Sequence, residues 1–247
     1  MTREKDQHSS YYNNIIHEVI NQALETHTRT TVIRVDLRFP QDVINVEDDS
    51  KVITRFFSSL RAKILNDLRR KNKDWGRNHR CSVNYVWVRE YGDRSNRKHY
   101  HVLIFLNKDV YHSLGDFNES EGNLAALIKQ AWNSANGLDS HILAAPVYFH
   151  NKVFYMDGNS EHLLDQVREV TEHASYLTKL ITKRFGDGNR SIGRSAISRR
   201  GQGALASIRL LKEASEEALG GDKTRSGRQS QYKPRNRVLV PPRRRFV

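Results

Sequence analysis

The run His99-Tyr100-His101-Val102-Leu103-Ile104-Phe105-Leu106 brings an imidazole, an aromatic ring and a second imidazole directly into five consecutive apolar residues. A short apolar run with β-branched and aromatic members reads as a buried strand. Side chains at i and i+2 of a strand share a face, so His99 and His101 stand side by side at its mouth. Two imidazoles placed this way can hold a divalent metal, although a His-x-His triplet alone is equally a pair of hydrogen-bonded histidines.

The neighbouring sequence supplies a third ligand. A strand from Ser82 to Glu90 precedes the turn-forming stretch Tyr91-Gly92-Asp93-Arg94-Ser95-Asn96-Arg97-Lys98, and the two strands make an antiparallel hairpin. The hairpin carries Glu90 to the histidines, completing a two-histidine, one-carboxylate set suited to Mg²⁺ or Mn²⁺ with positions left for a phosphate oxygen. A surface pairing of Glu90 with Arg97 or Lys98 is the competing reading. Asp36 and Asp93 are substitute ligands, because strand register is not legible from one sequence.

Outward from the hairpin, Ile15, Ile16, Val19, Ile20 and Leu24 carry helical spacing over residues 12 to 27. Thr31 to Phe39 is β-branched and alternating, and Pro40 ends it. Asp48-Asp49-Ser50 offers N-cap chemistry to an amphipathic helix marked by Val52, Ile53, Phe56, Phe57, Leu60, Ile64, Leu65 and Leu68. A further helix is expected from Leu124 to Ser134 and a strand over Ala145 to His150. The order strand, helix, strand, strand, helix, strand predicts an α+β, ferredoxin-like antiparallel sheet with helices on one face, plus flanking helices. The expected division is an N-terminal helical extension (1–30), a catalytic domain (31–200), a C-terminal helix (201–219) and a basic tail expected to be disordered (220–247).

A long helix is expected from Glu161 to Arg184. On it Leu163, Val167, Val170, Ala174, Leu177 and Ile181 form an apolar stripe. Tyr176 lies roughly 140° from the stripe's centre, with Lys179 and Lys183 within roughly 60° of it. A phenol needs nearby cations or a polarised electrophile to act as a nucleophile at neutral pH. An exposed tyrosine beside solvated lysines is the alternative.

The 247 residues carry a net charge of +13, and from Gly220 onward nine Lys and Arg stand against Asp222 alone. Such a balance points to an anionic partner, nucleic acid foremost, gripped by the tail without reading sequence. No apolar stretch is long enough for a membrane span and no signal-like segment opens the chain, so a cytoplasmic protein is expected. With Cys81 the one cysteine, neither an internal disulfide nor a cysteine-based zinc site can form within one chain.

His99-Tyr100-His101 resembles the His-hydrophobic-His motif, and Tyr176-Leu177-Thr178-Lys179 the Tyr-x-x-Lys motif, of the HUH endonucleases: rolling-circle replication initiators, relaxases and related transposases. More narrowly, Thr31 to Arg200 resembles the YagK/YfjJ C-terminal-domain family, the inovirus-type replication proteins of filamentous phages and prophages. The run Gly188-Asn189-Arg190-Ser191-Ile192-Gly193-Arg194-Ser195 is similar to a Gly-x-Arg-x-aromatic-Gly-x-Ser segment of that group, with Ile192 in place of the aromatic residue. Tyr176 is the single tyrosine of its helix, a departure from phage initiators that alternate two.

The resemblance implies metal-dependent nicking and joining of single-stranded or hairpin DNA, with His99, His101 and Glu90 on the metal. Tyr176 would act as nucleophile, assisted by Lys179 or Lys183, in a bacterial, nucleoid-associated setting. It implies no small-molecule cofactor. The sequence has no Gly-x-x-x-x-Gly-Lys-Ser/Thr loop, so unwinding would fall to a host helicase. Of the aromatics near the site, Tyr91 is the candidate for stacking on bases, while Tyr85, Trp87 and Tyr100 read as sheet packing. Arg190, Arg194, Arg199 and Arg200 are candidate phosphate contacts. Two other classes fit part of this pattern: a DNA-binding prophage regulator that keeps the fold without nicking, and an RNA-binding module on a ferredoxin-like sheet.

Overall fold

A computed structural model describes residues 7–40, 49–92, 96–138 and 144–197. Its elements run α1 (Ser10–Thr26), β1 (Arg29–Arg38), α2 (Val52–Trp75), β2 (Asn84–Tyr91), β3 (Lys98–Asn107), α3 (Leu124–Ala135), β4 (Val147–Asp157), α4 (Leu163–Ala174), a 3₁₀ turn (Ser175–Thr178) and β5 (Ile192–Arg194). The five strands form one sheet in the order β4-β1-β3-β2-β5, with each neighbouring pair antiparallel. β3 lies between β1 and β2, and β1 between β3 and β4. These are two interlocked split β-α-β units, the ferredoxin-like arrangement expected from the element order.

α2 and α3 cover one face, where Phe56, Phe57, Tyr100 and Trp132 form an aromatic centre. The strand at the middle of the sheet also requires a second cover. Every residue of β3 from Val102 to Leu106 is at most 1% exposed, so both of its faces are dry. On the second face Val32, Val86, Val88, Leu103 and Phe105 meet Ile16, Val19 and Ile20 of α1 and Val167, Val170 and Ala174 of α4. Helices therefore lie on both faces rather than one, and α1 belongs to the core instead of extending from it.

Local departures from the expected elements have local causes. Asp49 does not cap α2 as its N-cap residue; Lys51 holds that position without a side-chain bond, and the Asp49 carboxylate accepts the Lys51 N–H at 2.8 Å. β4 continues through Asn151-Lys152, polar residues at which the sequence pattern stops, because a bulge opposite Ile33 and Val35 lets an exposed edge strand stay paired. The helix expected to reach Arg184 ends at Ala174. There the Thr178 hydroxyl donates to the Ser175 carbonyl at 2.7 Å, and the chain is captured by the N-terminal segment through Ser9 N–H to Thr178 O (2.9 Å) and Leu180 N–H to Gln7 O (3.0 Å). Ile181, expected on the apolar stripe, is in consequence 72% exposed.

Among the described residues no helix is long and apolar enough to cross a membrane. The expected helix at 201–219, the tail from Gly220, Arg199, Arg200, Asp48 and Asp93 lie outside the described residues.

β5 arises in a stretch that reads as a glycine-rich loop. Gly193 pairs with Trp87 across the ladder, and a Cβ there would lie 2.5 Å from the Trp87 indole carbons. The indole is itself held edge-on by Tyr100 at 5.6 Å. Gly193→Ala is expected to cost about 1–3 kcal/mol through overpacking, read as a lowered urea midpoint with an unchanged slope; an unaltered midpoint would mean that β5 does not close on Trp87 in solution.

Candidate metal centre and its neighbouring tyrosine

The alternation of β3 decides which face each motif residue serves. Tyr100 enters the α2/α3 core, whereas His99 and His101 emerge on the α1/α4 face, near the end of the hairpin. Glu90 stands directly opposite His99 in the β2–β3 ladder, and Asp36 opposite His101 in the β1–β3 ladder. Glu90, His99 and His101 each offer a ligand atom within 4.8 Å of the others.

The histidine orientations fit a cation. His99 Nδ1 lies 3.3 Å from the Arg97 carbonyl, and His101 Nδ1 lies 2.6 Å from the Asp36 carboxylate. Protons on those nitrogens leave both Nε2 lone pairs facing each other at 3.1 Å, with a Glu90 oxygen 3.4 Å from His101 Nε2. Two lone pairs and a carboxylate converging on one point are mutually repulsive without a proton or a cation between them, and a carboxylate behind a ligating imidazole is the usual orienting partner. Such a donor set could hold a metal ion.

Glu90 is 1% exposed and charged. Burial pushes its pKa up, but the His101 hydrogen bond and charge, Lys183 and Thr182 outweigh this and hold it at about 2. Lys183 Nζ donates to one oxygen at 2.9 Å and the Thr182 hydroxyl to the other at 2.7 Å. Asp36 is likewise held low: burial raises it, and His101, Arg34 and His99 together overcome that. His99 is lowered by burial and then by the charge of His101. In His101 burial opposes protonation, but Asp36 and Glu90 prevail and raise its pKa.

Tyr176 sits in the 3₁₀ turn rather than on a continuous helix, half-exposed, with its ring perpendicular to that of His101 at 5.4 Å between centroids. Lys179 Nζ is 5.2 Å from the ring centre, and the Arg34 guanidinium lies over the ring at 4.7 Å. Lys183 is committed to Glu90, which separates the two lysines by position. Arg34, missed in the sequence, is 7% exposed and reaches Asp36 Oδ1 at 3.5 Å. Its only signal was a place two residues before Asp36 on an alternating strand, a pattern that equally describes a solvated face.

The other expected contacts do not converge here. Tyr91 and Arg190 belong to the opposite side of the hairpin, with the Tyr91 ring under the Arg184 guanidinium at 3.9 Å. Arg194 pairs with Glu18 of α1 at 3.1 Å. Tyr85 stacks on Phe57 and Trp87 meets Tyr100, so both are packing residues as expected.

Fold and site together define an α+β protein with a buried Glu-His-His group able to hold a metal ion beside a half-exposed tyrosine. The chain belongs to the YagK/YfjJ C-terminal domain family, whose profile matches residues 1–195 and so takes in α1 as well as the sheet. It is 33% identical over 203 residues to the uncharacterized protein YfjJ of Escherichia coli (strain K12), covering 75% of this chain and 94% of that protein. It is also 33% identical over 198 residues to the uncharacterized protein YagK of the same strain, covering 77% and 94% respectively. No solved structure matches the chain.

Because His101 holds a proton above its ordinary pKa and His99 does not, cation binding should displace about one proton. Calorimetry with Mn²⁺ is expected to show full affinity above the raised His101 pKa and a loss of about tenfold per pH unit below it. Asp36→Asn should weaken binding by roughly 10–100-fold. Affinity that stays flat across about pH 5–8 would rule out His101 as a ligand.

Proposed function

We propose that this chain nicks and rejoins single-stranded or hairpin DNA in the manner of the HUH endonucleases, initiating rolling-circle replication of a phage or prophage element. The observation that carries the reading is the 5.4 Å ring contact between Tyr176 and His101. It puts a half-exposed phenol beside the Glu-His-His group although the two are 75 residues apart in sequence. A divalent cation held by Glu90, His99 and His101 would supply Lewis-acid charge to the scissile phosphate.

Tyr176 Oη attacks phosphorus and the P–O3′ bond breaks. The phenol gives up its proton to solvent and the departing O3′ takes one up, so the products are a 5′-phosphotyrosine ester and a free 3′-hydroxyl that can prime synthesis. The bond energy is conserved in the ester, so no nucleotide cofactor enters. Lys179 stands by the phenol to offset its developing charge. Lys183 and Thr182 hold Glu90 in place, and Asp36 holds His101. Arg34 confines the Tyr176 ring from the other side. The basic C-terminal tail would grip DNA backbone, and strand separation would come from a host helicase.

The test incubates the full chain with labelled single strands from its own genetic element, with Mn²⁺ or EDTA. A protein-linked DNA species that survives denaturation is expected with Mn²⁺ alone. It should vanish in Tyr176→Phe and fall on the order of a thousandfold in His101→Ala. Equal DNA binding in all samples without any covalent species would replace this reading with that of a DNA-binding regulator.

A further inference from the structure

The glycine-rich run Gly188 to Ser195 has no part in the metal centre, yet it builds a cavity on the reverse side of the same hairpin. Gly188 turns the chain at φ +74°. Ser195 N–H donates to the Tyr85 carbonyl at 3.0 Å, and Gly193 lies flat on Trp87. This anchoring presents Arg190 to a cavity of about 260 Å³, enclosed also by Trp87, Arg89, Lys98 and the first turn of α2 with Ser50 and Thr54.

We propose that this cavity is a phosphate-binding site, distinct from the metal centre and taking the phosphate of a nucleotide unit. Three cationic side chains line it, and no carboxylate does among the described residues. Two of the three are buried in the sheet: Arg89 is 3% exposed and Lys98 5%. The Arg89 guanidinium is held by the Asp187 carboxylate through both terminal nitrogens, at 2.7 and 2.8 Å, while its buried Nε has no hydrogen-bond partner. A buried N–H without an acceptor is costly to keep.

The fourth wall adds to the same field. α2 runs for 24 residues and begins at the cavity with no side chain capping its N-cap residue and no acidic residue in its first turn. Of the two nearby carboxylates, Asp187 is taken up by Arg89, and Asp49 is turned to Arg55 and to the Lys51 N–H. Unsatisfied N–H groups and the positive end of a long helix attract anions, and guanidinium groups match phosphate geometry. The Trp87 indole beside them gives an apolar surface for a sugar or base, and the volume suits one nucleotide rather than a duplex.

The alternation of β3 gives the placement its meaning. Lys98 and Tyr100 face this cavity while His99 and His101 face the metal centre, so the hairpin end carries two sites back to back. The inference does not depend on nicking activity, since it concerns a different face and different side chains.

The test follows ¹⁵N spectra of the full chain during titration with inorganic phosphate, thymidine 5′-monophosphate and a short single-stranded oligonucleotide. The Trp87 indole, the Arg89 Nε–H and the Ile53 and Thr54 amides should shift saturably with phosphate. Arg190→Ala should raise the midpoint about tenfold and Arg190→Lys much less, while His101→Ala leaves it unchanged. Arg190 is exposed, so both variants should melt with the parent.

A mononucleotide binding as tightly as the oligonucleotide would identify a free nucleotide as the source of the phosphate, and a markedly tighter oligonucleotide would identify the strand. Phosphate that leaves these four signals unmoved, or that binds Arg190→Ala as well as the parent, overturns the proposal. Loss of nicking without loss of this binding would overturn only the metal-centre reading.

Discussion

A charged carboxylate at 1% exposure, Glu90, is the constraint around which the described structure is arranged. Removing a carboxylate from water costs several kcal/mol unless its oxygens are met by donors and counter-charge. Lys183 and Thr182 meet it from the segment after α4, and His101 from the neighbouring strand. Those contacts draw the segment 176–183 down onto the sheet. That in turn ends α4 early and brings Tyr176 against His101. The same closure recruits the N-terminus, because the backbone of residues 7–9 pairs with residues 178–180 on the outside of the turn.

The energetic logic of the site is that of a held repulsion. Asp36 and the Arg97 carbonyl fix the histidine protons on the far nitrogens, leaving two lone pairs and a carboxylate aimed at one another. A proton on His101, whose pKa Asp36 and Glu90 raise, relieves the repulsion, and β3, dry on both faces from Val102 to Leu106, keeps the histidines in place. Rigid elements, rather than loops, carry all three candidate ligands. Such placement gives a metal site its geometry before the ion arrives. Membership of the YagK/YfjJ C-terminal domain family, with a match from residue 1, agrees with a fold in which α1 is a structural necessity.

Strand alternation also explains how one hairpin can carry two candidate sites. Odd and even residues of β3 look to opposite sides of the sheet, so the histidine pair and a basic, aromatic pair interleave without competing for space. A one-residue slip of β3 against β1 and β2 would exchange the two sets and put lysine and tyrosine where the histidines stand. The apolar run after His101 prevents that slip, since each of its residues is matched to a partner core.

The sequence by itself determined the strand at His99, the hairpin with Glu90, the split β-α-β order and the apolar faces of α2 and α3. Each of these depends on short-range periodicity or on turn chemistry within about ten residues, which are local properties of a chain. It also placed Tyr176 on a polar side with Lys179. Only the tertiary structure decided that Lys183 serves Glu90, that Asp36 stands behind His101, and that Arg34 is buried over the tyrosine ring. Likewise it alone decided that α4 stops at Ala174 and that Gly193 closes a fifth strand on Trp87. These outcomes depend on ladder register and on contacts spanning roughly 65 to 170 residues, where the free energy of burying one charge or one ring outweighs the propensity of any single segment.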